Sequence, residues 1–175
     1  LFSYKEKAEK RSDKGDYWWE LRPCDYYTEF EKEKVVWSEI VTKAQFCYDA
    51  DGFYIEATAL FMTGEHIKYL AGVLNSKAGE FVFKRFYAGG GLGKSGYRYK
   101  KIYLLQVPVP PVSTDPIAVQ HIEELVDKIA EQKKQDLNAD TSLLEKEIDQ
   151  LVYKLYGFSS EEIAYVETYC KAQNV

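Results

Sequence analysis

Apolar and aromatic residues in the first third of the chain come in short runs that polar residues separate. Residues 34–40 combine β-branched and aromatic side chains, which favours a β-strand. Residues 46–48 and 58–62 have the same character, and the Asp-Gly pair at 51–52 is typical of a tight hairpin turn. Residues 17–63 are therefore predicted to form a meander of short strands.

After residue 64 the apolar positions change to a helical period. They recur at intervals of three and four, which predicts a helix that begins near Glu65 and is broken by Asn75 and Ser76. Residues 78–86 are predicted to be a second helical or extended piece, and residues 99–107 a strand. The apolar stripe of the helix consists of Ile67, Leu70, Ala71 and Leu74.

The last third of the chain is predicted to be helical, after an extended linker that contains Pro108, Pro110 and Pro111. Asp115 followed by Pro116 is a typical helix start. Apolar stripes predict two long helices, with Gly157 just past the end of the second. The pairs Ser142 with Glu145 and Ser159 with Glu162 have capping-box spacing, which predicts the starts of the second helix and of a short third one.

Together these elements predict an α+β fold. We expect a mixed or antiparallel curved sheet with short helices, followed by a C-terminal helical hairpin. The proline segment divides the chain into residues 1–112 and residues 113–175, the second being a helical extension that serves as a spacer or for docking.

Composition and charge support a folded protein with two unlike halves. The chain is 46% hydrophobic and has a net charge of −5. Residues 1–114 carry 17 basic and 15 acidic residues, whereas residues 115–175 carry 6 and 13. The three cysteines form no close pair, which argues against disulfides and a zinc site. We expect a cytoplasmic protein, and no apolar run is long enough to span a membrane.

Residues 84–101 carry a net positive charge, whereas the chain as a whole is negatively charged. They contain six basic residues, no acidic one, five glycines and three tyrosines. Glycine lets a backbone approach a partner closely, while Lys and Arg neutralise phosphates and Arg can also read base edges. The stretch indicates nucleic-acid contact, although a solvated basic turn is the simpler alternative.

The same stretch nearly spells a phosphate-binding P-loop between Ala88 and Ser95. That motif requires a helix immediately after it, whereas residues 96–99 favour a strand. His66 and His121 each stand alone, without a second ligand at metal spacing. We find no group of residues that forms a catalytic site, and we expect this chain by itself to have no catalytic activity.

Aromatic residues are dense in segment 16–22. Such a segment is more typical of a buried strand edge than of a binding surface. The functional alternative is that Tyr17, Trp18 or Arg22 faces a ligand.

Five segments in one order resemble the TaqI-like C-terminal specificity domain, the target recognition domain of type IIG restriction–modification enzymes and DNA adenine methyltransferases. The run at 69–76, Tyr-Leu-Ala-Gly-Val-Leu-Asn-Ser, is the most specific of them. The resemblance covers roughly residues 11–111, and the other segments are 18–22, 30–37, 51–58 and 105–110.

This resemblance implies a module that reads double-stranded DNA for an N-terminal methyltransferase domain of the same chain, with a nuclease as a further option. S-adenosylmethionine, and magnesium if the parent cleaves, would be cofactors of the parent enzyme; none is expected in this fragment. A protein-interaction or assembly module is the alternative function, and a P-loop-like nucleotide-binding domain comes third.

The candidate DNA-binding residues lie mainly in residues 84–101. The basic ones are expected to contact phosphates, and the others to reach base edges. Arg22 joins them from the aromatic segment. The phosphate set is Lys84, Arg85, Lys94, Lys100 and Lys101, and the base-edge set is Ser95, Tyr97, Arg98 and Tyr99.

Overall fold

The computed structural model describes residues 2–56, 58–88, 92 and 96–173. Residue 173 is described by its backbone alone. It confirms the α+β class, with antiparallel strands in the first part and long helices in the last. The strands are β1 (Lys34–Ser38), β2 (Ile40–Val41), β3 (Cys47–Asp49), β4 (Ala59–Thr63) and β5 (Tyr97–Arg98). The helices are α1 (Lys5–Glu9), α2 (Ile67–Asn75), α3 (Lys77–Val82), α4 (Lys101–Leu104), α5 (Pro116–Gln135), α6 (Ser142–Tyr156) and α7 (Ser160–Gln173).

The main sheet has the order β3-β1-β4, and all its pairs are antiparallel. Val35 of the central strand lies opposite Tyr48 on one side and Met62 on the other. The predicted meander is therefore wrong, because β3 and β4 flank β1 and do not pair with each other. β1 lies at the centre of the sheet, and its Val35 and Trp37 side chains are buried in the core.

The turn predicted after β3 exists, but it joins no hairpin. The Asp49 carboxylate accepts hydrogen bonds from the backbone N–H groups of Asp51 and Phe53, at 2.8 and 3.1 Å. Gly52 adopts a φ of 77°, which suits glycine. The chain then runs on to β4 on the far side of β1.

A buried ion pair fixes β3 against β1. The Lys34 side chain is fully buried, and its Nζ lies 2.6 Å from Asp49 Oδ2 and 2.6 Å from the Phe30 carbonyl oxygen. Burial alone would raise the pKa of Asp49. The hydrogen bonds from Lys34 and from the backbone outweigh it and lower that pKa below its ordinary value.

We expect this pair to make stability sensitive to acid. A carboxyl whose pKa is lowered by folding stabilises the protein above its unfolded pKa of about 3.9, and loses that contribution as the pH falls through its folded pKa. The Asp49→Asn variant should therefore be less stable than the parent at pH 7, with a difference that shrinks in acid. Urea unfolding from pH 7 to 3 measures this, with Glu56→Gln as an exposed control. Parallel profiles for the parent and Asp49→Asn would contradict it.

Helix α2 confirms the predicted helix, and the Asn75–Ser76 pair ends it for a structural reason. The Asn75 side chain binds both backbone groups of Phe46, at 2.9 and 2.7 Å, and so ties the helix to the start of β3. The Ser76 hydroxyl accepts a hydrogen bond from Gly79 N at 3.1 Å and begins α3. A π-helical turn, Phe83–Tyr87, continues α3, so residues 78–86 are helical rather than extended.

Residues 99–107 are not the predicted strand. Only Tyr97 and Arg98 pair with β2, and the chain then turns into α4. The Lys100 carbonyl oxygen accepts hydrogen bonds from the N–H groups of Tyr103 and Leu104, both at 3.0 Å. The buried residues in this stretch are Tyr99, Leu104 and Val107, which do not alternate as a two-sided strand requires.

The proline segment is docked between helices. The Tyr69 hydroxyl donates to the Pro110 carbonyl oxygen at 2.8 Å, and the Tyr156 hydroxyl donates to that of Pro108 at 2.6 Å. These bonds tie the segment to α2 and α6. The division at residue 112 stays a prediction about domain organisation.

Helix α5 packs against α2 at a glycine. A Cβ built on Gly72 would lie 2.5 Å from Ile122 Cγ2, so only glycine permits this approach without a shift of Ile122. Buried residues of β1, α2, α3, α5, α6 and α7 belong to one hydrophobic cluster. The first part of the chain therefore shares its core with the C-terminal helices. Within the described part of the chain, no helix is long and apolar enough to cross a membrane.

The predicted helix caps are confirmed at three ends and wrong at one. Asp115 accepts from Ala118 N at 3.1 Å, and Gly157 ends α6 with a φ of 69°. Ser159 and Glu162 form the reciprocal capping box, with distances of 2.7 and 3.3 Å. The other predicted box, Ser142 with Glu145, does not form: the N-cap is Thr141, one residue earlier, and it donates its hydroxyl proton to Glu145 at 2.6 Å.

Candidate nucleic-acid interface

Part of the basic stretch forms a two-stranded ribbon, β2–β5, with an earlier segment of the chain. Ile40 lies opposite Arg98, and Val41 opposite Tyr97. Gly96 has a φ of 98°, and a Cβ there would lie 2.4 Å from the Val41 carbonyl oxygen. Glycine is thus required where the stretch meets β2, as its composition suggested.

Two long-range hydrogen bonds hold the ribbon on the core. Tyr99 N donates to the Glu39 carbonyl oxygen at 2.6 Å, and Trp37 Nε1 donates to the Tyr99 carbonyl oxygen at 2.9 Å. Because Trp37 and Tyr99 are both buried, the positions of Glu39 and Arg98 are set by the core.

Within residues 84–101, four of the predicted basic residues have side chains with access to solvent. Arg85, Arg98 and Lys101 are exposed, and Lys100 is half-buried. The Arg98 guanidinium pairs with Glu39 through Nε, 3.4 Å from Oε1, and the two side chains are 44% and 42% exposed. Lys101 begins α4 directly after the ribbon.

The prediction that Lys84 contacts phosphate is wrong, because the structure buries this side chain. Its side chain is 1% exposed and forms an ion pair with Glu80. Its Nζ also donates to the Thr42 carbonyl oxygen at 3.0 Å and lies 4.7 Å from the centroid of the Tyr97 ring. The ammonium group therefore joins α3 to the ribbon from inside, and does not reach the surface.

The predicted tyrosines also differ in access. Tyr99 is 1% exposed and stacks on Phe83, with ring centroids 4.0 Å apart, so the prediction that it reaches base edges is wrong for this conformation. Burial, and then the nearby Glu80 charge, raise the pKa of Tyr99 and keep it neutral. Tyr97 is half-buried, between Lys84 and Tyr169.

Lys94 and Ser95 lie outside the described residues, so their part in the site stays a prediction. Of the neighbouring described residues, Leu92 donates its N–H to the Gly96 carbonyl oxygen at 2.7 Å.

Arg22 lies in an N-terminal turn and not on the β2–β5 ribbon. Its N–H donates to the Asp13 carbonyl oxygen at 2.8 Å, and its side chain is exposed. A pocket of about 270 Å³ adjoins it. The pocket is lined by Arg22, Pro23, Cys24, Asp25 and Tyr26.

The aromatic segment 16–22 is not the predicted buried strand edge. Tyr17 and Trp19 stack with centroids 4.8 Å apart, and more than half of each side chain is exposed. Only an isolated bridge between Lys14 and Leu21 gives the segment strand character. It is a surface feature, held together by its own aromatic contacts.

Sequence reasoning missed Glu39 and Lys43 as parts of this surface. Glu39 precedes β2 and Lys43 follows it, so both flank the strand that receives β5. The missing information was the pairing of β2 with β5, which no local pattern encodes. The charges gave one indication. Residues 81–114 contain no acidic residue, so an acidic partner for Arg98 has to come from another part of the chain, and in the structure that partner is Glu39.

Within the described residues, no three His, Cys, Asp or Glu side chains are grouped so that they could hold a metal ion. His66 and His121 instead pair with Glu123 and Glu147, each at 3.1 Å.

The fold and this surface define an α+β domain with a run of basic residues, Arg98 to Lys101, whose backbone is tied to the core at Tyr99. The sequence model of the TaqI-like C-terminal specificity domain matches residues 2–109. The chain therefore belongs to the family of TaqI-like C-terminal specificity domains, as the resemblance predicted. Membership indicates a DNA-recognition module of a restriction–modification enzyme. No curated protein matches the chain.

Proposed function

We propose that this chain reads the base sequence of double-stranded DNA through the β2–β5 ribbon and the start of α4. The module would position the duplex for a methyltransferase domain of the same type IIG enzyme, which would use S-adenosylmethionine. A nuclease domain that would need magnesium is a further option for the parent enzyme.

One observation carries the proposal: a run of solvent-accessible basic residues, from Arg98 to Lys101, is held on the core of a specificity domain. Arg98, Lys100 and Lys101 follow one another over four residues, and Arg85 is exposed on the turn that packs near α4. Because the core holds the backbone of this basic run, the run loses little backbone conformational entropy when it binds a polyanion. The acidic helices α5–α7 would be repelled by the same duplex.

The residues divide by the chemistry they offer. Lys100 and Lys101 are point charges suited to phosphates, which set register without reading sequence. Arg98 carries a planar group of donors that matches O6 and N7 of guanine in the major groove. Arg98 is therefore the residue to which we assign base reading.

Selection from a randomised pool of DNA duplexes, at low and then moderate salt, tests the proposal. Enrichment of one short site, with affinity that falls steeply as salt rises, is the expected result. Salt-sensitive binding without enrichment would mean that base reading needs the rest of the enzyme. Absence of binding at low salt would overturn the proposal.

Substitutions separate the two kinds of contact. Lys101→Ala should weaken binding to all sequences alike and reduce the slope of log affinity against log salt by about 1. Arg98→Ala should relax preference at one base pair, at a cost of about 1–3 kcal/mol. Lys128→Ala, an exposed lysine on α5, is the matched control and should change neither quantity. Fluorescence anisotropy titrations over a salt series measure both. If Lys101→Ala changed specificity and Arg98→Ala only the slope, the assignment of roles would be reversed.

A second candidate is a protein-interaction module, and one surface favours it. Tyr26, Tyr27 and Tyr54 are exposed around Phe30, and the Phe30 and Tyr54 rings stack at 4.9 Å. Tyrosine is enriched at protein interfaces. Glu31 and Asp25 beside these rings make the surface unsuited to phosphates, so it is compatible with DNA reading elsewhere on the domain. In the DNA selection experiment, absence of duplex binding at low salt would leave the protein-interaction module as the remaining candidate.

A further inference from the structure

We propose that Glu39 is a positioning residue that orients the Arg98 guanidinium for bidentate contact with a guanine. This inference rests on the proposed DNA reading and adds a specificity-determining residue to it. Glu39 itself would contact no base.

The backbone around Glu39 and Arg98 is fixed on both strands. The Glu39 carbonyl oxygen accepts from Tyr99 N at 2.6 Å, and Arg98 lies opposite Ile40 in the antiparallel register. Trp37, two residues before Glu39, binds the Tyr99 carbonyl oxygen from the core. The two side chains therefore project from neighbouring positions that cannot slide past each other.

The contact leaves the reading edge of the arginine available. Glu39 Oε1 lies 3.4 Å from Arg98 Nε, so the ion pair is made on the side of the guanidinium nearest its own stem. The outer edge, with the two Nη groups, is the edge that a guanine accepts through O6 and N7. A carboxylate at Nε restricts rotation of the planar group, and the Nη edge is not the part of the guanidinium nearest to that carboxylate.

The energetics favour orientation over fold stability as the role of this pair. Both side chains are almost half exposed, and exposed ion pairs contribute little to folding. A negative charge near a phosphate backbone also weakens nonspecific binding. An acidic residue beside Arg98 thus opposes simple attraction to phosphates, and its contribution would lie in discrimination between sequences.

These two effects of Glu39 have opposite signs, which makes the inference testable. Glu39→Ala should raise affinity for nonspecific duplexes a few-fold, because a repulsive charge is removed. It should also lower discrimination at the base pair that Arg98 reads, on the order of tenfold, within the range that a bidentate contact supplies. A uniform electrostatic effect would raise affinity for every sequence and leave discrimination unchanged.

The experiment titrates the whole chain with the duplex selected above and with its single base-pair variants. Glu39→Gln should keep most discrimination, because the amide oxygen can take the place of the carboxylate oxygen beside Nε, while it raises nonspecific affinity as Glu39→Ala does. In the Arg98→Ala background, Glu39→Ala should change discrimination no further. Glu124→Ala, an exposed acidic residue on α5, is the control and should leave discrimination unchanged.

The outcomes separate this inference from the proposed function. If the parent selects a site, but Glu39→Ala raises all affinities equally, the positioning role is overturned and DNA reading stands. If Arg98→Ala leaves every base preference intact in a parent that selects a site, the role is likewise overturned. If the parent binds no duplex, both proposals fall. Circular dichroism and urea unfolding should show that Glu39→Ala is folded and as stable as the parent.

Discussion

Replacing Lys84 with alanine is expected to lower the free energy of unfolding by about 3–5 kcal/mol, the cost of breaking a buried ion pair on one side. The Lys84 ammonium is buried against Glu80, the Thr42 carbonyl oxygen and the Tyr97 ring. Its removal leaves the Glu80 carboxylate next to Tyr99 without a counter-charge, and it removes the link between α3 and β2.

The neighbouring residue supplies the control. Arg85 is exposed, so Arg85→Ala should leave stability nearly unchanged and should reduce the salt dependence of DNA binding. Lys84→Ala should show the reverse pattern: a loss of stability and, for the protein that remains folded, an unchanged salt slope. Urea denaturation measures the stability of the two variants, and anisotropy titrations over a salt series measure the salt dependence of their DNA binding.

If Lys84→Ala fails to fold, a double substitution that removes both charges tests the same ion pair. Lys84→Met with Glu80→Gln removes both charges and keeps similar volumes, so it should recover much of the loss. A double variant as unstable as Lys84→Ala would mean that the charge pair is not the cause. A stable Lys84→Ala with a reduced salt slope would place the ammonium on the DNA surface after all.

Replacing Gly96 with alanine is expected to separate the ribbon from the core. The φ of 98° is strained for any residue with a side chain, and the new Cβ would meet the Val41 carbonyl oxygen at 2.4 Å. Since both atoms belong to the β2–β5 contact, relief requires the two strands to move apart. We expect a loss of stability at least about 2 kcal/mol greater than at a positive-φ glycine with open space, and loss of base preference through Arg98.

Gly157 provides that comparison. It ends α6 with a φ of 69°, and a Cβ there would meet nothing within 4 Å. Gly157→Ala should therefore cost only the conformational strain, about 1 kcal/mol, and should leave DNA selection as in the parent. Urea denaturation of both variants, with duplex selection, measures the difference. Equal losses would show that the close approach of Gly96 to Val41 is not what fixes the ribbon.

Several elements could be predicted because their information is local. Helix α2, the Asp115 cap, the Gly157 end and the Ser159–Glu162 box depend on residues within one or two turns of one another. The strand segments could be placed for the same reason, since β-branched and aromatic content is a local property. The one-residue error at Ser142 has a local cause as well: Thr141 and Ser142 are equally suitable in composition, and only the backbone selects Thr141.

The order of the strands could not be predicted, because partners in a sheet are chosen by burial rather than by nearness in sequence. Residues 58–62 follow residues 46–48, yet β4 pairs with β1 across the sheet from β3. The strand predicted at 99–107 failed in a similar way. Its apolar residues were counted correctly, but the pairing with β2 stops after Arg98 and the chain closes into α4.

The amino-acid sequence by itself was sufficient for the family, the α+β class and the position of the basic stretch, because motif order, residue type and charge are carried by the chain. Only the tertiary structure decided which basic residues face solvent. Lys84 and Arg85 are neighbours of equal charge, yet one is buried and the other exposed, according to which side of the π-helical turn meets β2. The contacts that set this outcome, such as Trp37 with Tyr99, join residues 62 positions apart. Desolvation of a charge depends on such long-range packing, and no local pattern encodes it.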